Sequence, residues 1–112
     1  MPSDVIDWLA QAVSRGYVDR AQVARVLGVS PRTVSRWLQR GGTPRPDAGK
    51  RLAELLVVLE ELSKTLQPQA AHDWLSTPNP LLSYHKPVDR LQERRHRDVL
   101  SAVEQLGEGV FV

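Results

Sequence analysis

The chain has 112 residues, of which 41% are hydrophobic and 25% charged, and its net charge is +2. This length suits one domain, or two very small ones, with a modest core. Cysteine is absent, which excludes a disulfide framework, a thiolate nucleophile and a thiolate metal site. No apolar run approaches the roughly 18 residues that cross a bilayer, and no signal-peptide pattern is found. We therefore expect a soluble, cytoplasmic protein without a membrane partner.

The charge is distributed unevenly along the chain. Residues 20–51 hold eight Lys or Arg and one acid, Asp47, so this stretch carries +7 and the rest carries −5. Such polarity suits a protein with one end that binds phosphates and another that binds a different partner.

Helical patterns begin at the N-terminus, where Ser3 is a candidate cap for a first helix that ends at Gly16. A second helix follows from Asp19, whose side chain is placed to form a capping box with Gln22. Gly28 suits the left-handed turn that ends this helix.

A third helix begins directly after that turn. Ser30 is its expected N-cap and Pro31 its first residue. Val34 and Trp37, three residues apart, are expected to face back toward the second helix. The whole pattern predicts a helix-turn-helix.

The opposite face of the third helix predicts a DNA interface. A helix in the major groove presents its N-terminal residues to base edges, and Arg and Gln pair well with guanine and adenine. Residues 40–49 are predicted to form a loop whose arginines contact phosphates. The predicted DNA-binding residues are Arg32, Thr33, Ser35, Arg36, Gln39, Arg40 and Arg45. The alternatives are a solvent-exposed helical hairpin and an exposed basic linker.

The longest predicted helix spans about residues 47–66. Its leucines recur at helical spacing, and Val57 and Val58 widen the apolar surface to nearly two sides. Such a helix is either covered by the core of its own chain or forms part of a homodimer seam. A dimer would place two recognition helices one DNA turn, about 34 Å, apart.

The C-terminal half contains short helices that begin at prolines. Pro68 starts one, Asn79 can cap a single turn opened by Pro80, and another begins near Pro87. A final amphipathic helix follows. The apolar residues 109–112 then either tuck into the core of this chain or insert into a partner.

This half resembles the toxin-binding domain of Xre/MbcA/ParS antitoxins, which follows a helix-turn-helix in that family. The similarity covers nearly the whole chain, and the length and ending look closest to the MbcA type. One departure lies after Leu91, where many members carry glycine and this chain has Glu93 and Arg94, so we expect the turn there to be built differently. The residues that carry the similarity are Trp74, Leu75, Pro78, Asn79, Pro80, Leu81, Leu82, Pro87, Leu91, Gly109 and Val110.

The resemblance implies an all-α fold with an N-terminal Xre-like helix-turn-helix bundle, residues 1–66, and a small helical toxin-binding domain with a tail, residues 67–112. It implies an antitoxin of a type II toxin-antitoxin system that binds and blocks a RES-domain, NAD-degrading toxin. It also implies that the chain represses its own operon by binding operator double-stranded DNA, as a homodimer or a higher hetero-oligomer with the toxin. The implied toxin-binding residues are Trp74, Asn79, Leu81, Leu82, Gly109, Val110, Phe111 and Val112.

Several alternatives stay open from the sequence. Trp74, Leu81 and Leu82 suit a local core as well as a partner surface. The chain as a whole suits a free-standing dimeric helix-turn-helix regulator without a toxin partner, or an interaction module that no longer binds DNA.

Catalytic and metal-binding patterns are not found. His72 and Asp73 are adjacent and so point about 100° apart on a helix. The three histidines lack metal-ligand spacing. We expect no enzyme activity, no metal and no cofactor.

Overall fold

The computed structural model describes residues 5–108, which form seven α-helices and one 3-10 turn and so confirm the predicted all-α class. Ser3 and the predicted toxin contacts Gly109, Val110, Phe111 and Val112 lie outside the described residues. The helices are α1 (Val5–Ser14), α2 (Arg20–Leu27), α3 (Pro31–Arg40), α4 (Pro46–Ser63), α5 (Pro68–Leu75), α6 (Pro87–Gln92) and α7 (His96–Gly107), with the 3-10 turn at Pro80–Leu82.

The helix-turn-helix forms through the predicted caps. Asp19 accepts the backbone N–H of Gln22 at 2.7 Å, and the Gln22 side chain accepts that of Asp19 at 3.0 Å, which completes the capping box. Gly28 ends α2 with φ at +73°, a conformation that is strained for any residue with a Cβ. Ser30 caps α3 and Pro31 is its first residue. Each of these features was predicted, since each depends on residues close in sequence.

A single hydrophobic core receives side chains from all seven helices of the described part. The long helix α4 lies against α1, α2, α5 and α7. Its leucines Leu52, Leu55, Leu56 and Leu62 are fully buried, so the apolar surface of α4 is covered mainly by its own chain. Val57 remains exposed on the outer side. The division of the chain at residue 66 stays a prediction.

Two predicted boundaries need correction. The loop after the recognition helix comprises residues 41–45 instead of 40–49, because α3 extends to Arg40 and Pro46 already starts α4. Proline is well accommodated at a first helical position, where its missing N–H would have no helical partner. The long helix ends at Ser63, and residues 64–66 continue as a tighter turn. No helix within residues 5–108 is long and apolar enough to cross a membrane.

The turn between α6 and α7 contains the predicted departure from the family pattern. Arg94 has φ at +66°, a left-handed conformation that costs a residue other than glycine about 1–2 kcal/mol. Its N–H donates to the carbonyl of Leu91 at 3.0 Å, and the N–H of Arg95 donates to that of Arg90 at 2.9 Å. These two bonds form a Schellman cap. The guanidinium of Arg94 pairs with Asp47 in the first turn of α4, an interaction that glycine could not make.

Candidate DNA and protein interfaces

Helix α3 has one face in the core and one face in solvent. Val34 and Trp37 are buried, as predicted. On the outer side, the exposed members of the predicted DNA-binding set are Arg32, Arg36, Gln39, Arg40 and Arg45, and the half-buried members are Thr33 and Ser35. None of these arginines forms an ion pair within the described part of the chain. Their charges are therefore available to an external anion.

The loop after α3 returns toward the recognition helix. Pro44 is buried, and a cavity of about 230 Å³ separates the loop from α3. Arg36 and Arg45 both line this cavity, together with Trp37. The structure thus brings a predicted base-reading arginine and a predicted phosphate-binding arginine onto one surface.

Thr33 has a local structural contact in addition to its predicted DNA contact. Its backbone N–H donates to Ser30 Oγ at 3.1 Å, and the two hydroxyl oxygens lie 3.0 Å apart. The Thr33 hydroxyl is therefore occupied at the helix start, which the sequence analysis did not anticipate.

A polar seam joins the helix-turn-helix to the C-terminal half between α2 and α5. The Gln22 side chain is buried, with 6% of its surface exposed. Its amide donates to the backbone carbonyl of His72 at 3.0 Å and to Ser76 Oγ at 2.8 Å, while its oxygen completes the cap of α2. All polar groups of this amide therefore have partners, as a buried amide requires.

The same seam contains a charged pair. His72 Nε2 lies 2.7 Å from Asp19 Oδ2, and Nδ1 lies 3.3 Å from Asp73. The hydrogen bond with Asp19 raises the pKa of His72 above its ordinary value. Partial burial opposes the charge of Asp19, yet hydrogen bonds from Gln22 and His72 lower the pKa of this carboxyl. Protonated His72 is thereby favoured in the folded chain.

Two arginines from the basic stretch hold the halves together and do not face the DNA surface. Arg25 on α2 lies 2.6 Å from Asp89 on α6. Arg51 on α4 donates to the carbonyls of Val26 at 3.4 Å and Gln92 at 3.2 Å, at the C-terminal ends of α2 and α6. Cations are favoured at helix C-termini. The +7 charge of this stretch is therefore only partly available to DNA.

The predicted toxin surface divides into supporting and exposed residues. Leu82 is 5% exposed and packs in the core, and Trp74 is half-buried against the core. Asn79 is half-buried, and its side chain accepts the backbone N–H of Leu81 at 2.9 Å. Leu81 is 54% exposed. Leu82 therefore belongs to the local core, which was one of the two alternatives open from the sequence. Its neighbour Leu81 lies on the opposite, exposed side of the same turn.

Comparison with known proteins identifies a matching domain model and several similar proteins. A homeodomain-like domain model matches residues 8–46, which span α1 to the loop after α3. The mycobacterial cidal antitoxin MbcA of Mycobacterium bovis is 33% identical over 112 residues, covering 96% of this chain and 98% of the relative. The chain belongs to the MbcA family of antitoxins. A probable mycobacterial cidal antitoxin of Mycobacterium tuberculosis is 40% identical over 95 residues, covering 85% of this chain and 81% of the relative.

The MbcA-like fold extends through both halves. The crystal structure of the Mycobacterium tuberculosis MbcT–MbcA toxin-antitoxin complex contains a chain that matches with a TM-score of 0.84 at 30% identity. The match covers 99% of this chain and 100% of that chain. The antitoxin family and the helix-turn-helix predicted from the sequence are therefore confirmed.

One exposed residue of this MbcA-family chain was missed by the sequence analysis. Tyr84 is 72% exposed and follows the 3-10 turn. Ser83 and Tyr84 have φ at +55° and +64°, and residues other than glycine pay about 1–3 kcal/mol each in such regions. Neither residue is a common left-handed type, so local propensity contains no signal for this turn.

Proposed function

We propose that this chain binds and blocks a RES-domain, NAD-degrading toxin and represses the operon that encodes both proteins. The observation that supports the toxin half is the match, over nearly the full chain, to a chain of the MbcT–MbcA toxin-antitoxin complex. The proposed activity is binding to the toxin and to the operator. Within residues 5–108 no three His, Asp or Glu side chains are grouped as metal ligands would be.

In this proposal residues 67–112 form the toxin-binding segment. Leu81 provides exposed apolar surface, Asn79 caps its turn, Leu82 anchors that turn in the core, and Trp74 packs half-buried against the same core. Burial of apolar surface contributes roughly 25 cal/mol per Å², reduced by the cost of ordering the partners. The remaining proposed toxin contacts are Gly109, Val110, Phe111 and Val112, which lie outside the described residues.

The DNA half of the proposal depends on the outer face of α3. Arg32 and Arg36 have exposed guanidinium groups without internal partners, on a helix that begins at a well-formed cap. Arg40 and Arg45 extend the positive surface beyond the helix, where phosphates would lie. Two copies, as a homodimer or within a hetero-oligomer with the toxin, would read two half-sites about 34 Å apart.

The toxin half is tested by co-expressing the chain with the product of the adjacent reading frame. We expect the two proteins to co-purify and the antitoxin to suppress the loss of NAD caused by the partner alone. A second chain that ends at Gly107 separates the contribution of the tail from that of the described surface. Absence of a complex, or a partner that leaves NAD intact, would contradict the toxin assignment and leave a free-standing helix-turn-helix regulator.

The DNA half is tested separately with a reporter fused to the promoter of the operon. We expect the chain to reduce reporter expression and a double variant, Arg32→Ala with Arg36→Ala, to restore it. Arg97→Ala is the matched control, because Arg97 is exposed on α7, away from α3. If the double variant repressed as well as the unaltered chain, α3 would not be the recognition helix.

A further inference from the structure

The turn formed by residues 79–85 is closed by hydrogen bonds and displays its tyrosine outward. The N–H of Tyr84 donates to the carbonyl of Asn79 at 2.8 Å, and the N–H of Asn79 donates to that of His85 at 3.1 Å. The N–H of His85 in turn donates to the carbonyl of Leu82 at 3.0 Å. These bonds hold the backbone in place, so Tyr84 has a defined backbone position although the residue is 72% exposed.

The left-handed conformation of Tyr84 is imposed by the backbone hydrogen bonds of the turn. Glycine would adopt φ at +64° without a steric penalty. The Tyr84 hydroxyl has no hydrogen-bond partner among residues 5–108, and the ring contributes nothing to the core. Within the described residues the tyrosine side chain therefore adds neither a hydrogen bond nor burial in the core to offset the strain of its backbone. Strain of this kind points to a contact outside the chain.

We propose that Tyr84 anchors the toxin interface by inserting its ring into an apolar pocket of the toxin, beside the contact made by Leu81. The proposal rests on the toxin-binding function above and adds a residue to that surface. Tyrosine is enriched among residues that dominate binding energies, because it buries a large area while ordering only two side-chain torsions. Because the turn is already rigid, even less conformational entropy is lost when it binds.

The surroundings of the turn indicate the chemistry of the partner. A cavity of about 260 Å³ beside Leu81 is lined by Arg90, Arg95 and Asp98. Arg90 is paired with Glu93 at 2.9 Å and Arg95 with Asp98 at 2.8 Å, whereas Lys86 beside the turn has no acidic partner in the described part. We therefore expect an apolar pocket on the toxin with an acidic group where Lys86 would lie.

The test measures toxin binding and antitoxin stability in the same variants. Full-length antitoxin and its Tyr84→Gly variant are compared for affinity toward the toxin encoded by the adjacent reading frame and for Tm. We expect Tyr84→Gly to weaken binding by at least about tenfold, as for an interface anchor. We expect the same variant not to lower Tm, because glycine relieves the left-handed strain. Loss of affinity without loss of stability distinguishes an anchor from a structural residue.

Two further variants are controls. Ser83→Gly removes the same kind of strain one residue earlier without removing an aromatic ring, and Tyr84→Phe retains the ring. We expect both to bind within about threefold of the unaltered chain. An unaltered chain that does not bind the toxin would overturn the proposed function itself. A chain that binds, with a Tyr84→Gly variant that binds equally well, would overturn only the role of Tyr84.

Discussion

The recognition helix and the turn at residues 79–85 are both exposed surfaces, yet they are built in opposite ways. Helix α3 has regular geometry, a serine cap and a proline at its first position, and it presents arginines without internal partners. The turn has two left-handed residues that are not glycine and presents Leu81 and Tyr84. The helix thus provides charge without backbone strain, and the turn provides apolar surface with strain.

This difference matches the two kinds of partner proposed. Binding to phosphates is driven by released counterions and tolerates flexible side chains, so an ordinary helix is sufficient. Binding to a protein pocket requires apolar groups in fixed positions, which a strained but closely hydrogen-bonded turn provides. The two surfaces are connected through the common hydrophobic core and through polar contacts that include the seam between α2 and α5.

The largest expected effect comes from breaking that seam. Gln22→Leu should lower the free energy of unfolding by about 2–4 kcal/mol, because it leaves the carbonyl of His72 and the N–H of Asp19 without partners in a largely buried site. Chemical denaturation measures this loss. Gln105→Leu on the exposed side of α7 is the control and should change stability by less than about 0.5 kcal/mol. A small loss for Gln22→Leu would mean that the hydrogen bonds of Gln22 contribute little to joining the two halves.

The next largest effect is expected from Arg36→Ala, which should weaken binding to DNA and leave binding to the toxin unchanged. Arg36→Ala should reduce the binding free energy for operator DNA by about 1–3 kcal/mol and relax specificity at one base pair. Toxin affinity should stay unchanged, since Arg36 lies on α3 and the turn lies beyond α5. Fluorescence anisotropy with operator variants measures the first quantity. An equal loss for every DNA sequence would reassign Arg36 to the phosphates.

A smaller effect, and one without sequence preference, is expected from Arg40→Ala. Arg40 ends α3, and its guanidinium is exposed and has no partner in the described part of the chain. If it binds a phosphate, its loss should weaken binding to all DNA sequences and lower the slope of log affinity against log salt by about one unit. Affinities at several salt concentrations measure the slope, and an unchanged slope would exclude the contact.

The smallest expected effect is a dependence of folding stability on pH through His72. Because the hydrogen bond with Asp19 raises the pKa of His72, the folded chain binds this proton more tightly than the unfolded chain. The resulting stability is fully present below the ordinary pKa of 6.5 and is lost as pH rises through the raised value. Solvent screening at this partly exposed pair should keep the contribution below about 1 kcal/mol.

Thermal unfolding between about pH 5.5 and 8.5 tests the His72 contribution. The difference in Tm between the unaltered chain and His72→Gln should be largest at the acidic end and decrease toward the basic end. Asp19→Asn should remove most of the same pH dependence, although it also weakens the cap of α2. If the difference in Tm were constant across this range, protonation of His72 would not contribute to the stability of the fold.

Local features of the fold could be predicted because their causes lie within a few residues. The capping box of Asp19 with Gln22, the left-handed Gly28 and the cap at Ser30 depend on side chains three positions apart or closer. The buried positions Val34 and Trp37 follow from helical spacing. The recognition helix and its outward arginines were therefore accessible from the sequence, while their contacts with DNA stay predictions.

The sequence by itself determined the all-α class, the caps at Asp19, Ser30 and Asn79, the position of the recognition helix and, through its C-terminal motif, the antitoxin family. Only the tertiary structure decided that Gln22 and Asp19 bind His72, that Arg25 and Arg51 are used inside the molecule, and that Leu82 is buried while Tyr84 is exposed. The physical reason is sequence separation. Side-chain pairs more than 40 positions apart meet only when the helices have packed, and a tyrosine adopts a left-handed conformation only when the surrounding hydrogen bonds impose it.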